Sequence, residues 1–495
     1  MLYHHDILER MIQQRNNIRL FEGVDRVAIL LYLLLVLAGL TCVASAGYED
    51  SIEGFFNLRQ NHVKQALWAC AAFVVGLFIL LLDSRYYHMY AYYAYFGALL
   101  FTAGTIVAPE AIAPITKGAK AWYEIGPVRI QPAEFAKIAT ALAMARMMSN
   151  YSFNIHKASD LCRVAMIILL PFAIILLQND TGSGVVLCSF IFVLYREGLN
   201  KWLCIPLIMV ATLFIFSFLF TPLVLLIVLV LIFTISNAMM MGGEWRRHLI
   251  FTAGIALSAL VLYALSAIFW GGALNGYEAL VITVIGGVII AGIYAIRKHI
   301  TAIFLTLALF IGSMIFVPAA DMIFESVLQP HQKERILSFL GIINDPAGID
   351  FNVNQSKIAI GSGGLFGKGF MQGTQSKYFV PEKHTDFIFC TAGEEWGFVG
   401  SMVVLALLCA MILRLMKMGE RQQEPFSRIY CYSVAAIFLF HVMVNLGMTV
   451  GLMPVMGIPL PFMSYGGSSM IAFTILLFIA IRLDASPSKG MDALR

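Results

Sequence analysis

The chain has 495 residues, of which 60% are hydrophobic and only 13% are charged, with a formal net charge of +4. A soluble domain of this length could not bury so much apolar surface, so the composition excludes an ordinary soluble protein. The small positive charge is scattered between apolar runs and offers no surface suited to nucleic acid.

Apolar runs of about 15 to 25 residues recur along the whole chain, as transmembrane helices require. The runs are continuous and do not alternate with polar residues, which argues against a membrane β-barrel. The sequence therefore predicts an all-α polytopic membrane protein with about fourteen transmembrane helices. We place the spans at about 27–46, 66–83, 89–108, 133–149, 163–178, 183–197, 202–220, 222–240, 248–270, 278–296, 300–318, 387–416, 428–452 and 466–483.

Arginine and lysine are concentrated in alternate loops, which predicts that both termini are cytoplasmic. Two outer loops, 109–132 and 319–386, are basic against this rule, so a ligand is expected to account for their charge. We divide the chain into an N-terminal membrane part (1–200), a further helical region (201–318), a large extracytoplasmic loop (319–386) and a C-terminal part with the last three spans (387–495).

The first basic loop places Lys117, Lys120 and Arg129 around Trp122. Basic groups beside an aromatic ring suit the phosphate of a lipid head group. The same residues could instead anchor the loop at the membrane surface, with the lysine side chains reaching toward water.

Two pairs of ionisable residues lie inside predicted spans, where a charge needs a partner or water. Glu134 and Lys137 are three residues apart and share a helical face, so they are expected to pair toward the bundle interior. Glu394 and Glu395 are adjacent, so at most one of them can point directly into a given pocket. Glu394 and Glu395 could instead have a purely structural role, paired with a cation such as Lys137.

The long loop carries the glycine-rich segment GSGGLFGKG, residues 361–369. It fails the spacing of a nucleotide-binding phosphate loop, because Lys368 is followed by glycine and not by serine or threonine. Backbone amides near Lys357 and Lys368 could still form a cradle for a pyrophosphate.

Asp386 stands where the chain re-enters the membrane after the segment VPEKHTD. One interpretation is an N-cap for the following helix, as Asp180 is predicted to be for an earlier one. The other is a general base at the water–lipid boundary, whose pKa burial would raise and neighbouring lysines would lower. A metal site formed by Glu382, His384 and Asp386 is a third possibility, although no second ligand cluster supports it.

Seven motifs occur in one order along the chain and resemble the SEDS family (shape, elongation, division and sporulation). The resemblance covers the first six spans and everything after about residue 331, and IAIGSGG with GTQ favours the rod-shape branch over the division branch. The family has about ten spans, so about four helices would be inserted between Arg196 and His331. One departure is Ala121, where the family usually has arginine; Lys120 could supply that charge. The motifs are QPAEFAK, QNDTGSG, NQSKIAIGSGGLFGKG, GTQS, VPEKHTDFIF, GEEWGFVG and LPFMSYGGSS.

The resemblance implies a peptidoglycan glycosyltransferase of the bacterial inner membrane, which polymerises lipid II on the outer face for cell elongation and rod shape. Asp386 matches the family's essential aspartate and would deprotonate the acceptor hydroxyl, which displaces undecaprenyl pyrophosphate from the growing glycan. The implied partner is a penicillin-binding transpeptidase, with other elongation proteins. No cofactor is required by the motifs, and a divalent cation stays open. The residues assigned to substrate or pyrophosphate binding are Lys117, Lys120, Trp122, Lys357, Lys368, Lys383 and His384.

Two alternatives belong to other functional classes. A lipid II flippase would use Glu134, Lys137, Glu394 and Glu395 as a polar path through the membrane. A scaffold that only recruits the transpeptidase would have no use for buried charges. The richest cluster of polar residues lies in the outer loop. This favours chemistry at the outer surface, which is expected of the polymerase.

Overall fold

The computed structural model is almost entirely helical in the part of the chain that it describes. Its helices are α1 (Arg26–Gly47), α2 (Asn61–Leu81), α3 (Ser84–Val107), α4 (Pro132–Met148), α5 (Ala158–Leu177), α6 (Thr181–Val186), α7 (Phe190–Arg196), α8 (Pro222–Met240), α9 (Trp245–Phe269), α10 (Gly276–Lys298), α11 (Thr301–Val327), α12 (Pro330–Phe339), α13 (Phe351–Ser362), α14 (Gln375–Tyr378), α15 (Ile388–Arg421), α16 (Pro425–Val450) and α17 (Gly467–Asp484). A hairpin of β1 (Tyr123–Ile125) and β2 (Val128–Ile130) precedes α4. The described residues are 23–47, 55–116, 118–126, 128–200, 209, 212–214, 216–217, 219–240, 245–269, 274–299, 301–327, 330–343, 345, 348 and 350–485.

Ten of these helices are long and apolar enough to cross a membrane, which confirms the polytopic all-α fold. Every predicted span has a helical counterpart; most of 202–220 lies outside the described residues, and those described up to Leu219 are helical. The predicted span 183–197 is divided into α6, a 3₁₀ turn (Leu187–Ser189) and α7, and α4 has only 17 residues. The total of fourteen spans therefore stays a prediction.

Local sequence signals account for several helix boundaries. Asp180 is the N-cap of α6 and accepts a hydrogen bond from the Ser183 backbone N–H at 3.2 Å, as predicted. Prolines occupy the first position of α4 and α16, where a missing N–H costs nothing. Pro222 likewise begins α8, so it separates two helices and does not kink one long helix.

The chain forms two compact units, which are described separately. The first consists of the described residues of Met1–Leu199 and Asp345–Arg495, and the second of those of Asn200–Asn344. Among the ten helices long enough to cross a membrane, α16 and α17 are the most buried, with 67% of the apolar window of each inside the protein. Because protein surrounds these two helices, they can carry polar side chains that lipid would not tolerate.

The second unit contains α8 to α12 and has its own apolar core, which includes Leu225, Leu229, Val284 and Phe310. Two hydroxyl contacts cross between its helices, from Thr306 to the Asn237 side-chain oxygen at 2.9 Å and between Thr234 and Thr252 at 2.9 Å. Such bonds tie neighbouring helices together in an apolar environment.

A network of ion pairs at the C-terminal end of α15 joins this helix to the start of α1 and the end of α17. The buried Asp25 carboxylate accepts hydrogen bonds from Arg414, at 2.8 Å from Nε to Oδ2, and from Arg421, at 2.8 Å from Nη2. Arg421 also pairs with Asp484. Burial raises the pKa of Asp25, but the hydrogen bonds from the two arginines outweigh it, so the pKa lies below the usual value.

Replacing Asp25 with asparagine should lower the free energy of unfolding by about 2 kcal/mol at neutral pH, because the two arginines lose a charged acceptor. Since the folded-state pKa of Asp25 is lowered, its contribution is present above the ordinary carboxyl pKa and is lost as the pH falls through the folded value. Thermal unfolding in detergent should show a gap between wild type and Asp25→Asn that narrows on acidification. Asp83→Asn is the control, because asparagine can also cap α3; an equal shift in both variants would contradict the prediction.

Candidate functional site

The helix α15 is interrupted at Gly397, where the backbone has φ +65° and ψ −161°. A break inside a membrane helix frees backbone groups that must find new partners. The glycine-rich segment 363–369 supplies these partners and so satisfies backbone groups on both sides of the break. Its four backbone bonds are Lys368 N to Glu394 O (3.0 Å), Gly369 N to Glu395 O (3.0 Å), Phe398 N to Gly364 O (2.8 Å) and Val399 N to Leu365 O (3.1 Å).

Glycines allow this close approach of two backbones. A Cβ on Gly363 would overlap the Gly393 carbonyl oxygen, and a Cβ on Gly367 would overlap that of Glu395. The backbone amides of Lys368 and Gly369 donate to α15, so they are not available to cradle a pyrophosphate as the sequence suggested. The glycine-rich motif is explained by packing against the broken helix.

The fully buried Glu394 carboxylate is the centre of this contact. It accepts a hydrogen bond from the Lys368 ammonium at 2.5 Å and three more from the backbone N–H groups of Thr374 (3.0 Å), Gln375 (2.9 Å) and Ser376 (2.6 Å). The cation partner of Glu394 is therefore Lys368 and not Lys137, which was the alternative raised from the sequence. A carboxylate with these donors stabilises the first turn of α14.

Glu395 is also buried and links the same loop to the first span. It accepts a short hydrogen bond from the Ser45 hydroxyl near the end of α1 and one from the Gly373 backbone N–H at 3.3 Å. The two adjacent glutamates thus point to different partners, as expected for neighbouring helical positions.

Asp386 is not an N-cap, because α15 begins at Ile388 with Phe387 in the cap position and no side-chain cap bond. The backbone of residues 384–386 is held by three hydrogen bonds. The carbonyl oxygens of His384, Thr385 and Asp386 accept, respectively, from the Tyr465 N–H (2.7 Å), the Ser464 hydroxyl (2.7 Å) and the Asn445 side-chain N–H (2.9 Å).

The Asp386 side chain itself is half-buried against the last outer loop. Its Oδ2 lies 3.6 Å from the position that a Cβ on Gly457 would take. A half-buried carboxylate on a fixed backbone, which does not cap its helix, has the placement expected of a general base.

Glu134 and Lys137 form the predicted buried pair, with 2.8 Å between Nζ and Oε1. The Lys137 ammonium also contacts His441 Nε2 at 2.9 Å, and His441 Nδ1 contacts the Pro459 carbonyl at 3.0 Å. Because Lys137 can only donate and the carbonyl can only accept, His441 is neutral with its proton on Nδ1. This polar chain connects α4 through α16 to the outer loop beside Asp386.

The predicted basic residues fall into two groups. Three have acceptors within the protein: Lys120 donates to the carbonyls of Ile106 (3.2 Å) and Ala108 (2.6 Å), Lys368 donates to Glu394, and Lys383 donates to the Lys377 carbonyl. Lys357 is exposed on α13, its side chain covers Gly451, and within the described residues its ammonium has no hydrogen bond or ion pair. Lys117 lies outside the described residues. Trp122 is half-buried directly before β1.

His384 contacts the ring of Tyr465 edge-on, with 5.6 Å between ring centroids. Burial raises the pKa of Tyr465, and the positive charge of Arg129 opposes that rise. Arg129, from the first basic loop, forms an ion pair with Glu124 at 2.9 Å. Within the described residues, no group of three His, Cys, Asp or Glu side chains could hold a metal ion, so the suggested metal site at Glu382, His384 and Asp386 is not formed.

Sequence reasoning missed the residues that hold the Asp386 backbone, namely Asn445, Ser464 and Tyr465, and also missed His441. One signal was available: histidine and asparagine stand four residues apart inside an apolar run, on one helical face. Polar residues in a span usually mark a functional contact. Which carbonyls they bind could be seen only in the folded chain.

The chain matches the model of a cell cycle protein family, FtsW/RodA/SpoVE, over residues 25–231 and 220–489. The peptidoglycan glycosyltransferase RodA of Treponema pallidum is 32% identical over 483 residues, which cover 94% of this chain and 99% of that protein. The peptidoglycan glycosyltransferase MrdB of Escherichia coli is 28% identical and covers 90% of each chain. A probable peptidoglycan glycosyltransferase FtsW of Geobacter metallireducens is 26% identical over 95% of this chain and 98% of its own.

Solved structures have the same fold. One belongs to a peptidoglycan synthase complex that coordinates polymerization and crosslinking; it is 24% identical, has a TM-score of 0.56 and covers 93% of this chain and 97% of its own. The rod shape determining protein RodA of Thermus thermophilus is 21% identical, with a TM-score of 0.53 over 95% of this chain and 98% of its own.

Gly367→Ala should destabilise the fold by about 3 kcal/mol, because the new Cβ would overlap the Glu395 carbonyl oxygen at a position with positive φ. Gly361→Ala is the matched control, since a Cβ there would meet no atom within 4 Å. Thermal unfolding and the yield of monodisperse protein measure the difference. Equal stability of the two variants would show that the glycine-rich loop does not need this close backbone contact.

Proposed function

Because the chain belongs to the FtsW/RodA/SpoVE family of cell cycle proteins, we propose that it is a peptidoglycan glycosyltransferase that joins lipid II units into glycan strands. Its relatives of both the RodA and FtsW types are named as such enzymes. We assign this chain to the rod-shape branch on the segments IAIGSGG (358–364) and GTQ (373–375). That assignment makes cell elongation its process.

The observation that carries the proposed mechanism is the placement of Asp386. Its carboxylate is half-buried, its backbone and those of the two preceding residues are fixed by the last outer loop and α16, and it does not cap α15. Asp386 takes the proton of the acceptor sugar hydroxyl as that oxygen attacks the anomeric carbon of the donor. The new glycosidic bond forms as the bond to the pyrophosphate oxygen breaks, and undecaprenyl pyrophosphate leaves with the electron pair.

The leaving pyrophosphate needs positive charge, and Lys357 is the best placed of the described candidates. The segment 451–457 contacts the Lys357 side chain at Gly451 and the Asp386 carboxylate at Gly457, so both groups border one short stretch of loop. The ammonium of Lys357 is exposed, whereas Lys368 and Lys383 already donate to acceptors in the protein. His384, two residues before Asp386, contacts the Tyr465 ring and stays a candidate for substrate binding. Lys117 stays a candidate on its sequence position alone.

The orientation in the membrane follows from the two ends of α15. Asp386 lies beside the first residue of α15, and Arg414 and Arg421 lie near its last. Arginines favour the cytoplasmic side, which puts Asp386 on the extracytoplasmic side of the bacterial inner membrane. A penicillin-binding transpeptidase is the proposed partner, by analogy with the synthase complex that shares the fold.

The flippase alternative gains no support from the polar residues inside the spans. Glu134 pairs with Lys137, Glu394 with Lys368, and Glu395 with Ser45 and Gly373. Each carboxylate has local partners that stabilise the fold. Among the residues that the structure describes, no hydrogen bond or ion pair joins the Glu134 group to the Glu394 group, as a continuous polar path would.

Asp386→Ala should lower the rate of lipid II polymerisation at least about 100-fold, because the acceptor hydroxyl loses its base. The measurement is glycan strand formation from purified lipid II by the protein co-purified with its transpeptidase. Glu110→Ala removes an exposed carboxylate on another loop and should polymerise like wild type. Strands from Asp386→Ala at the wild-type rate would remove Asp386 from the mechanism, and no strands from an intact wild-type complex would favour the flippase or scaffold.

Lys357→Met should lower kcat about tenfold, because one charge opposite the pyrophosphate is lost while the apolar stem of the side chain is kept. Lys417→Met is the matched control, since Lys417 is exposed near the other end of α15. Initial rates at saturating lipid II measure the effect. An unchanged rate for Lys357→Met would exclude Lys357 from leaving-group stabilisation.

A further inference from the structure

Asn445 is a completely buried amide in the middle of the C-terminal half of α16. Its side-chain nitrogen donates to two backbone carbonyls from different parts of the chain, Asp386 at 2.9 Å and Ile458 at 2.7 Å. Both hydrogen atoms of the amide nitrogen are therefore used.

The orientation of this amide is determined by its partners. A carbonyl oxygen can only accept a hydrogen bond, so the amide nitrogen and not its oxygen must face Asp386 and Ile458. The oxygen points elsewhere and has no donor among the described residues. Burying an acceptor without a donor opposes folding, and the two donated bonds are the contacts that offset it.

The two carbonyls lie on either side of the candidate base. Asp386 supplies one of them, and Ile458 directly follows Gly457, the residue whose backbone approaches the Asp386 carboxylate. One amide thus fixes the distance between the backbone of the base and the loop against which its side chain lies.

His441 strengthens this arrangement one helical turn earlier. Its Nδ1–H donates to the Pro459 carbonyl at 3.0 Å, while its Nε2 accepts from the buried Lys137. His441 and Asn445 are four residues apart and share a face of α16, so together they hold two consecutive loop carbonyls. The loop beside Asp386 is therefore attached to a largely buried helix.

We propose that Asn445 is a positioning residue for Asp386, holding the carboxylate where the acceptor hydroxyl arrives; this rests on the proposed role of Asp386 as the base. Asn445 does not touch substrate. Its loss leaves the binding groups in place and moves the base, so it lowers kcat and leaves KM for lipid II nearly unchanged.

The test compares three substitutions in the full-length protein, co-purified with its transpeptidase and assayed with lipid II. Asn445→Leu removes both donors, and kcat should fall at least tenfold with KM within twofold of wild type. Asn445→Asp keeps the shape but turns acceptor oxygens toward two carbonyls, and its loss should be at least as large. Asn445→Gln keeps both N–H donors on a longer arm and should recover part of kcat.

Thr449→Val is the matched control, because Thr449 is buried on the same face of α16 one turn later and its hydroxyl donates only to the Leu446 carbonyl of its own helix. It should keep the wild-type kcat. Activities are divided by the amount of folded complex from size-exclusion chromatography, so that loss of folded protein is not counted as loss of rate.

Each outcome distinguishes this inference from the proposed function. Wild-type kcat in folded Asn445→Leu would overturn the positioning role, as would an Asn445→Gln variant no more active than Asn445→Leu or a fall in activity that only follows the amount of folded complex. A change confined to KM would move Asn445 to substrate binding. Activity of Asp386→Ala would instead reject the base on which the inference rests.

Discussion

The structure depends on the backbone hydrogen bonds between the glycine-rich segment 363–369 and the interrupted membrane helix α15. At Gly397 the helix α15 cannot satisfy its own backbone groups, and lipid offers no replacement partners. A loop from the preceding sequence provides four backbone bonds, and the buried Glu394 carboxylate gathers the Lys368 ammonium and three backbone N–H groups above them. The glycine-rich segment and α15 are consequently joined by hydrogen bonds around the break, and Asp386 lies at the start of this helix.

The buried charges are likewise stabilised by partners close to them in the structure. A charge removed from water is tolerated when a partner and further hydrogen bonds are present. Lys137 has both Glu134 and His441, and Asp25 has two arginines. Because these contacts join different helices, each one also fixes how the helices of the first unit pack. The four ionisable residues proposed for a flippase path, Glu134, Lys137, Glu394 and Glu395, all have hydrogen-bond or ion-pair partners within this unit.

The site combines parts with different mechanical roles. The last outer loop, held by α16 through Asn445 and His441, forms a wall beside the Asp386 carboxylate. Lys357 stands on α13, where Ser356 donates to the Thr449 carbonyl at 2.9 Å and attaches that helix to the end of α16. Asp386, the proposed base, and the helix that carries Lys357 are thus both attached by hydrogen bonds to α16, a largely buried helix. Such a frame suits a reaction in which two large lipid-linked substrates must meet in one orientation.

Apolar run length and residue spacing along the chain were enough to predict the membrane class, nearly all helix positions, the Asp180 cap and the Glu134–Lys137 pair. The order of the motifs made Asp386 the candidate base, which stays a prediction. Three contacts could be seen only in the folded chain: Lys368 pairs with Glu394, the glycine-rich segment bonds to α15 at its break, and Asn445 donates to the Asp386 carbonyl. These contacts join residues from separate segments of the chain. A buried polar group takes whichever partner the packed helices bring within about 3 Å, and local sequence does not encode that choice.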